Sequence, residues 1–142
     1  MSLRGSLTSI LLSKELADLY FRRGKHGEIL HEMATACSPR DDGGKYPMWI
    51  IVQFGKGEHG PPHAHLYGAE RKPSSKTLVT KFLITDNPPG EKDAIRVMKG
   101  FPAVPSKYEK MIKDWAKGKD KFGINNWIGL RRDWENAEKT FS

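Results

Sequence analysis

The chain has little cysteine and no long hydrophobic run, and both shortages limit the kind of protein it can be. A single cysteine, Cys37, excludes an internal disulfide framework and a cysteine-based zinc finger. The apolar stretch at residues 7–12 is interrupted by Thr8 and Ser9, is too short to span a bilayer, and is not followed by a signal-peptide cleavage site. We therefore expect a cytoplasmic protein that does not bind membranes.

The length is that of one globular domain. The chain has 142 residues, and folding at this length buries roughly two-thirds of the surface of the extended chain, which is enough for one hydrophobic core. We expect a single domain over residues 1–142. Within it, residues 1–46 are predicted to form a helical N-terminal extension, residues 47–134 an α+β core, and residues 135–142 the end of the last helix and a tail.

Three segments have the composition of β-strands. Residues 48–54 are mostly β-branched or aromatic, residues 63–67 alternate in polarity, and residues 77–85 alternate again after a proline-containing turn. Turn-forming residues separate the segments, so that neighbouring strands can pair along the chain. We expect a small antiparallel β-sheet of about three strands.

Helices are predicted on both sides of these strands. Pro105 suits the first position of a helix, an amphipathic stripe follows it, and a last helix is predicted over residues 124–139. Nearer the N-terminus, Ser13 begins one predicted helix and residues 27–37 form another. The expected fold is therefore α+β, with the sheet packed against C-terminal helices and with extra N-terminal helices.

Positive charge is concentrated in one part of the chain. The formal net charge is +7, and residues 96–121 hold eight basic residues against three acidic ones. A concentrated basic surface favours a polyanionic partner such as nucleic acid, although a solvated lysine-rich helix face has the same pattern. The candidate nucleic-acid-binding residues are Lys107, Lys110, Lys113, Lys117 and Lys121.

Residues 59–65 read His-Gly-Pro-Pro-His-Ala-His, and this segment is the strongest candidate for a functional site. On a β-strand, His63, His65 and Tyr67 share one face, and the Cα atoms of the two histidines lie about 7 Å apart. That spacing lets both imidazoles approach one small ion or one phosphate group.

The two prolines of this segment restrict the backbone that leads into the predicted strand. Proline fixes its own φ angle and favours an extended conformation in the residue before it. Pro61 and Pro62 therefore stiffen the turn, as a preorganised site requires. His59 lies across the turn and is placed to fold back as a third group.

Four interpretations of the histidine segment stay open. His59, His63 and His65 bind Zn²⁺ or another transition metal and leave one position for water. Without a metal, His63 and His65 act as general acid and base in phosphodiester cleavage, with Tyr67 as a hydrogen-bond donor. In a third interpretation, protonated histidines and nearby lysines only bind phosphate. In the last, the histidines are structural and hydrogen-bond the backbone at the sheet edge.

Three known sequence motifs are matched only in part, and the mismatches exclude the functions that these motifs indicate. Residues 55–60 match G-x-G-x-x-G, but prolines and a strand follow where a dinucleotide-binding loop must open a helix, so we expect no nucleotide cofactor. His31 begins an H-E-x-x-H pattern in which Thr35 replaces the second histidine. Tyr67 stands where a histidine-triad hydrolase has its third histidine.

The histidine segment resembles a bacterial family known as domain of unknown function 4160. Members read roughly D-H-x-P-P-H-F-H where this chain has E-H-G-P-P-H-A-H at residues 58–65, and Tyr67-Gly68 then follows. Trp115 and Asn126-Trp127 resemble the family's C-terminal tryptophans. The resemblance covers about residues 47–134, with Glu58 and Ala64 as departures from the usual residues.

The resemblance implies no particular activity, but members are often encoded beside small toxin–antitoxin-like partners. The leading hypothesis is a metal-dependent or acid–base histidine site that acts on a phosphate-bearing substrate, foremost nucleic acid, in such a system. The competing hypothesis is a non-enzymatic module that binds nucleic acid or a small partner protein through the lysines, with structural histidines.

Overall fold

A computed structural model describes residues 33–53, 60–70 and 73–141 of the chain. These residues form an α+β fold of one antiparallel sheet, a short 3-10 helix and two α-helices. The strands are β1 (Met33–Cys37), β2 (Trp49–Gln53), β3 (His63–Tyr67) and β4 (Leu78–Leu83), the 3-10 helix is Asp41–Gly44, and the helices are α1 (Ser106–Lys117) and α2 (Asn126–Phe141). Neither α1 nor α2 is long and apolar enough to cross a membrane.

The sheet is an open meander in which each strand pairs with its neighbours in the chain, in the order β1-β2-β3-β4. The register aligns one row across all four strands, formed by Thr35, Ile51, His65 and Lys81. Residues 96–98 extend the hydrogen bonding beyond β4, because the Leu83 N–H donates to the Arg96 carbonyl and the Met98 N–H donates to the Lys81 carbonyl. β3, which carries the histidines, is therefore an inner strand.

β1 corrects the prediction at this end of the chain. The sequence predicts a helix over residues 27–37 and about three strands, whereas Met33–Cys37 form a strand and the sheet has four. Pairing with the apolar strand β2 buries Thr35, Ala36 and Cys37. The stabilisation from this burial outweighs the weak helical preference that the spacing of apolar residues indicates in so short a segment. The rest of that predicted helix and the one beginning at Ser13 lie outside the described residues.

The two faces of the sheet have different surroundings. One face, which we call the helix face, packs against α1 and α2. Its strand residues include Ile50, Val52, Ala64, Leu66 and Phe82, and the helices contribute Ile112, Trp115, Trp127, Leu130 and Trp134 to the same buried cluster. The opposite face, which we call the histidine face, carries Trp49, Ile51, His65 and Tyr67, and at its end the His63 ring contacts both His65 and Trp134 of α2. The predicted division of β3, with Ala64 and Leu66 toward the core, is confirmed.

Two asparagines tie α1 to α2. The Asn126 side chain donates to the Trp115 carbonyl at 2.8 Å, and the Asn125 side chain donates to the Ala116 carbonyl at 2.9 Å, near the end of α1. The Asn125 side-chain oxygen also accepts the Ile128 N–H at 3.0 Å, which makes Asn125 the N-cap of α2. These bonds satisfy backbone groups that a helix leaves without partners at its ends.

Asn125→Ala is expected to lower the free energy of unfolding by about 1–2 kcal/mol, because it removes the N-cap of α2 and the bond to Ala116. Asn125→Ser is the matched control. It keeps a capping oxygen and loses only the bond to the Ala116 carbonyl, so it should be clearly less destabilised in equilibrium denaturant unfolding. Equal losses for the two variants would show that the cap contributes nothing.

Candidate histidine site

The proline turn places the first histidine on β3. Gly60 has a φ of +104°, which favours glycine, and the two prolines follow it directly. The Pro62 carbonyl accepts the Ile84 N–H at 2.9 Å, and the Pro61 carbonyl lies 3.0 Å from Nδ1 of His63. The carbonyl groups of both prolines thus have hydrogen-bond partners, and these contacts hold the backbone where β3 begins.

Three rings form a row along the histidine face. The ring centroids of His63 and His65 are 5.6 Å apart with an interplanar angle of 26°. Those of His65 and Tyr67 are 6.2 Å apart with an angle of 24°. The structure therefore brings together the three β3 residues that the sequence selects as a site.

Hydrogen bonds assign the same proton position to both histidines. A carbonyl oxygen only accepts, so the contact with Pro61 places a proton on Nδ1 of His63. The Tyr67 hydroxyl donates to Oε1 of Gln53 at 2.9 Å, and its oxygen then accepts from Nδ1 of His65 at 3.4 Å. In the neutral imidazoles, the lone pair consequently lies on Nε2 in both His63 and His65.

The row is buried. His63 is 0% exposed, and His65 and Tyr67 are each 4% exposed. The Trp134 ring reaches from α2 to within 4.8 Å of the His63 ring, tilted by 53°. A histidine that cleaves a polymeric phosphodiester must touch it, so this burial favours a small species at the imidazoles over a nucleic-acid backbone.

The third histidine of the predicted set, His59, lies outside the described residues. Among residues 33–53, 60–70 and 73–141, no group of three His, Cys, Asp or Glu side chains is arranged to hold a metal ion. Any third protein ligand for an ion at His63 and His65 must therefore come from elsewhere in the chain or from a rearrangement.

The candidate lysines lie on α1 and in the turn after it. Lys107, Lys110 and Lys117 are exposed on α1, whose Ile112 and Trp115 pack in the buried cluster on the helix face of the sheet. Lys113 is half-buried, donates to the Glu91 carbonyl and pairs with Glu109, and Lys121 is exposed in the turn after α1. The exposed lysines of α1 are therefore open to solvent, whereas His63 and His65 are buried.

Sequence reasoning missed two residues of the site. Gln53 accepts from the Tyr67 hydroxyl, but it comes from the end of β2, and the register partner of Tyr67 is Trp49, so only the side-chain contact identifies Gln53. Trp134 fits the interpretation as a core residue, and its contact with His63 depends on where α2 passes the sheet.

No family model, no curated protein and no solved structure matches this chain. The resemblance of residues 58–65 to the domain of unknown function 4160 therefore stays a prediction, and the function has to be argued from the geometry of the site.

Proposed function

We propose that His63 and His65 bind a divalent transition metal ion such as Zn²⁺ through their Nε2 atoms, with His59 as a third ligand. One observation carries the proposal: each imidazole has its Nδ1 turned to an acceptor of the protein. Metal-binding histidines almost always donate their second ring N–H to a carbonyl, a carboxylate or a similar group, which orients the ring and raises its basicity.

The spacing of the two rings supports a shared ion. A Zn–N bond of about 2.0 Å and a tetrahedral angle place the centres of two coordinating rings about 5 Å apart. The observed separation of the ring centroids, 5.6 Å, is close to this value. Burial also fits a metal site, because neutral imidazoles are the form that coordinates.

The metal-free alternative has less support. A general acid and base pair needs one protonated and one unprotonated nitrogen at the substrate. With both Nδ1 atoms as donors, His63 and His65 present two bases and no acid in their neutral forms. A bound zinc ion with an open position supplies an activated water at neutral pH, and such a site supports hydrolysis of a phosphate-bearing substrate.

Zinc binding is expected to depend on both histidines. Protein purified without a histidine tag should bind Zn²⁺ in calorimetric titration, and His63→Ala/His65→Ala should weaken that affinity at least about a hundred-fold, because it removes both described ligands. Lys107→Gln/Lys110→Gln is the matched control, since it changes two exposed side chains of α1 that are not among the proposed ligands and should leave zinc affinity unchanged.

Zinc binding to the unmutated protein should also raise the stability of its fold. Zinc at about a hundred times its Kd should stabilise the fold by about 2.7 kcal/mol and raise Tm by several degrees. A titration with no heat and no change in Tm would refute the metal site. Hydrolysis of a phosphate ester that persists in the double variant would refute the role of the histidines in it.

A second candidate function is nucleic-acid binding through the exposed lysines. The observation that favours it is that the acidic residues of α1 contact other residues and do not pair with the exposed lysines. Glu109 pairs with Lys113, and Asp114 accepts from the Tyr46 hydroxyl and lies 3.8 Å from Lys45. Lys107, Lys110, Lys117 and Lys121 are exposed and form no ion pair with any described residue.

A further inference from the structure

We propose that the turn after α1 binds single-stranded nucleic acid, with one base stacked on Phe122 and phosphates held by the lysines beside it. We call residues 117–123 the basic–aromatic turn; its lysines are Lys117, Lys119 and Lys121. The inference rests on the second candidate function and names the type of strand and the contact. It does not depend on the histidine site.

Phe122 is the first observation. It is 45% exposed, and no other large hydrophobic residue whose burial the structure describes is exposed. A single exposed apolar residue is ordinary on a protein surface, so exposure alone identifies nothing. The position of Phe122 in a rigid turn among lysines makes it informative.

Asp120 holds the turn in place. Its Oδ1 accepts the N–H of Phe122 at 2.9 Å and the N–H of Ile124 at 3.0 Å. The Asp120 N–H donates to the Ile124 carbonyl, and the Gly123 N–H donates to the Asp120 carbonyl. Gly123 has a φ of +80°, a conformation that favours glycine. The aromatic ring therefore projects from a fixed base, so little conformational entropy is lost when a ligand stacks on it.

The charge around the ring is positive. Lys117, Lys119 and Lys121 are exposed, and Nζ of Lys121 lies 5.4 Å from the centroid of the Phe122 ring. The nearest acidic residue in sequence, Asp120, is occupied by backbone N–H groups of the turn. The basic–aromatic turn thus combines the two elements of single-strand binding, a stacking platform and cations for the phosphates.

This combination fits a single strand better than a duplex or a membrane. In a duplex, both faces of each base are already stacked, whereas an unpaired base offers a free face to an aromatic ring. Binding to a lipid surface scales with buried apolar area, and interfacial segments use several large apolar residues. Phe122 alone supplies too little area for a membrane, but one ring is enough for one base.

The test compares replacements of Phe122 that separate stacking from apolar contact. Fluorescence anisotropy with an oligothymidylate of about 12 nucleotides should show binding by the unmutated protein at low salt. Phe122→Ala and Phe122→Leu should each weaken it roughly ten-fold, and Phe122→Trp should retain it, because only an aromatic ring presents a stacking face. A duplex of the same length should bind the Ala variant and the unmutated protein equally.

The contribution of the lysines is measured separately, through the salt dependence of oligonucleotide binding. Lys119→Gln/Lys121→Gln should weaken oligothymidylate binding and reduce its dependence on salt concentration by roughly one to two contacted phosphates. Because Phe122 and both lysines are exposed, these variants should unfold at the same Tm as the unmutated protein, and this is checked first.

The outcomes distinguish this inference from the function on which it rests. Absence of any oligonucleotide binding would overturn both. Binding that falls with Lys107→Gln/Lys110→Gln but is unaffected by Phe122→Ala would overturn only the stacking contact and would leave the lysine module standing. Equal affinity of the Leu and unmutated proteins, or binding to anionic vesicles in place of the oligonucleotide, would also overturn the inference.

Discussion

Trp127→Ala is expected to lower the free energy of unfolding by about 3–5 kcal/mol, the range for removing a fully buried aromatic side chain. Trp127 is 0% exposed and its ring stacks on Phe82 with centroids 5.9 Å apart. Its indole N–H donates to the Thr85 carbonyl at 2.8 Å. The substitution therefore removes a packing contact between α2 and β4 together with the bond that joins α2 to the end of that strand.

Trp127→Phe separates these two contributions. It keeps an aromatic ring against Phe82 and loses the indole N–H and part of the volume, so we expect a smaller loss of about 1–2 kcal/mol. Both variants are compared by equilibrium unfolding in urea, where a constant m-value shows that the transition still measures the same surface. A loss below about 1 kcal/mol for Trp127→Ala would contradict the packing described for α2.

Trp134→Ala is expected to have two effects. Trp134 is 1% exposed, so its removal should also lower the free energy of unfolding by about 3–5 kcal/mol. Its ring lies 4.8 Å from that of His63, and loss of this contact removes one of the groups that orient the imidazole, beside the Pro61 carbonyl and the His65 ring. If His63 binds zinc, the affinity should fall roughly 10–100-fold, as it does when groups that orient a ligand are removed.

The control for this prediction is Trp134→Phe, which keeps an aromatic ring beside His63. It should retain most of the zinc affinity while losing some stability. Zinc affinity that is unchanged in Trp134→Ala, measured on the folded fraction, would show that the Trp134 ring does not orient His63 for binding. Trp127→Ala serves as a second comparison, because it destabilises α2 without touching a histidine and should leave zinc affinity unaltered.

The part of the site that lies on one strand could be predicted from the sequence. Side chains alternate along a strand, so the i, i+2 spacing of His63 and His65 is enough to put both on one face and Ala64 on the other. The prolines before them mark where the strand begins, and β3 starts at the residue after Pro62. These are local consequences of backbone geometry and need no knowledge of the rest of the fold.

Features that depend on the register or on the stacking of layers could not be predicted. The register pairs Tyr67 with Trp49, so neither the sequence nor the strand pairing points to Gln53, which accepts the Tyr67 hydroxyl through a longer side-chain contact. The sequence predicts lysines near the histidines, yet the distance between them depends on which face of the sheet α1 covers. β1 was missed because five residues are too few to separate a strand from a helix by periodicity.

The short segment at residues 96–98 has a consequence for self-association. An exposed strand at the edge of a sheet is a template on which another chain can add a strand, and proteins protect such edges by covering them. Here the Leu83 N–H and the Lys81 carbonyl of β4 are already bonded to Arg96 and Met98. A second copy of the chain therefore cannot pair with the end of β4 at residues 81–83 unless it first displaces residues 96–98, which opposes aggregation by strand addition there.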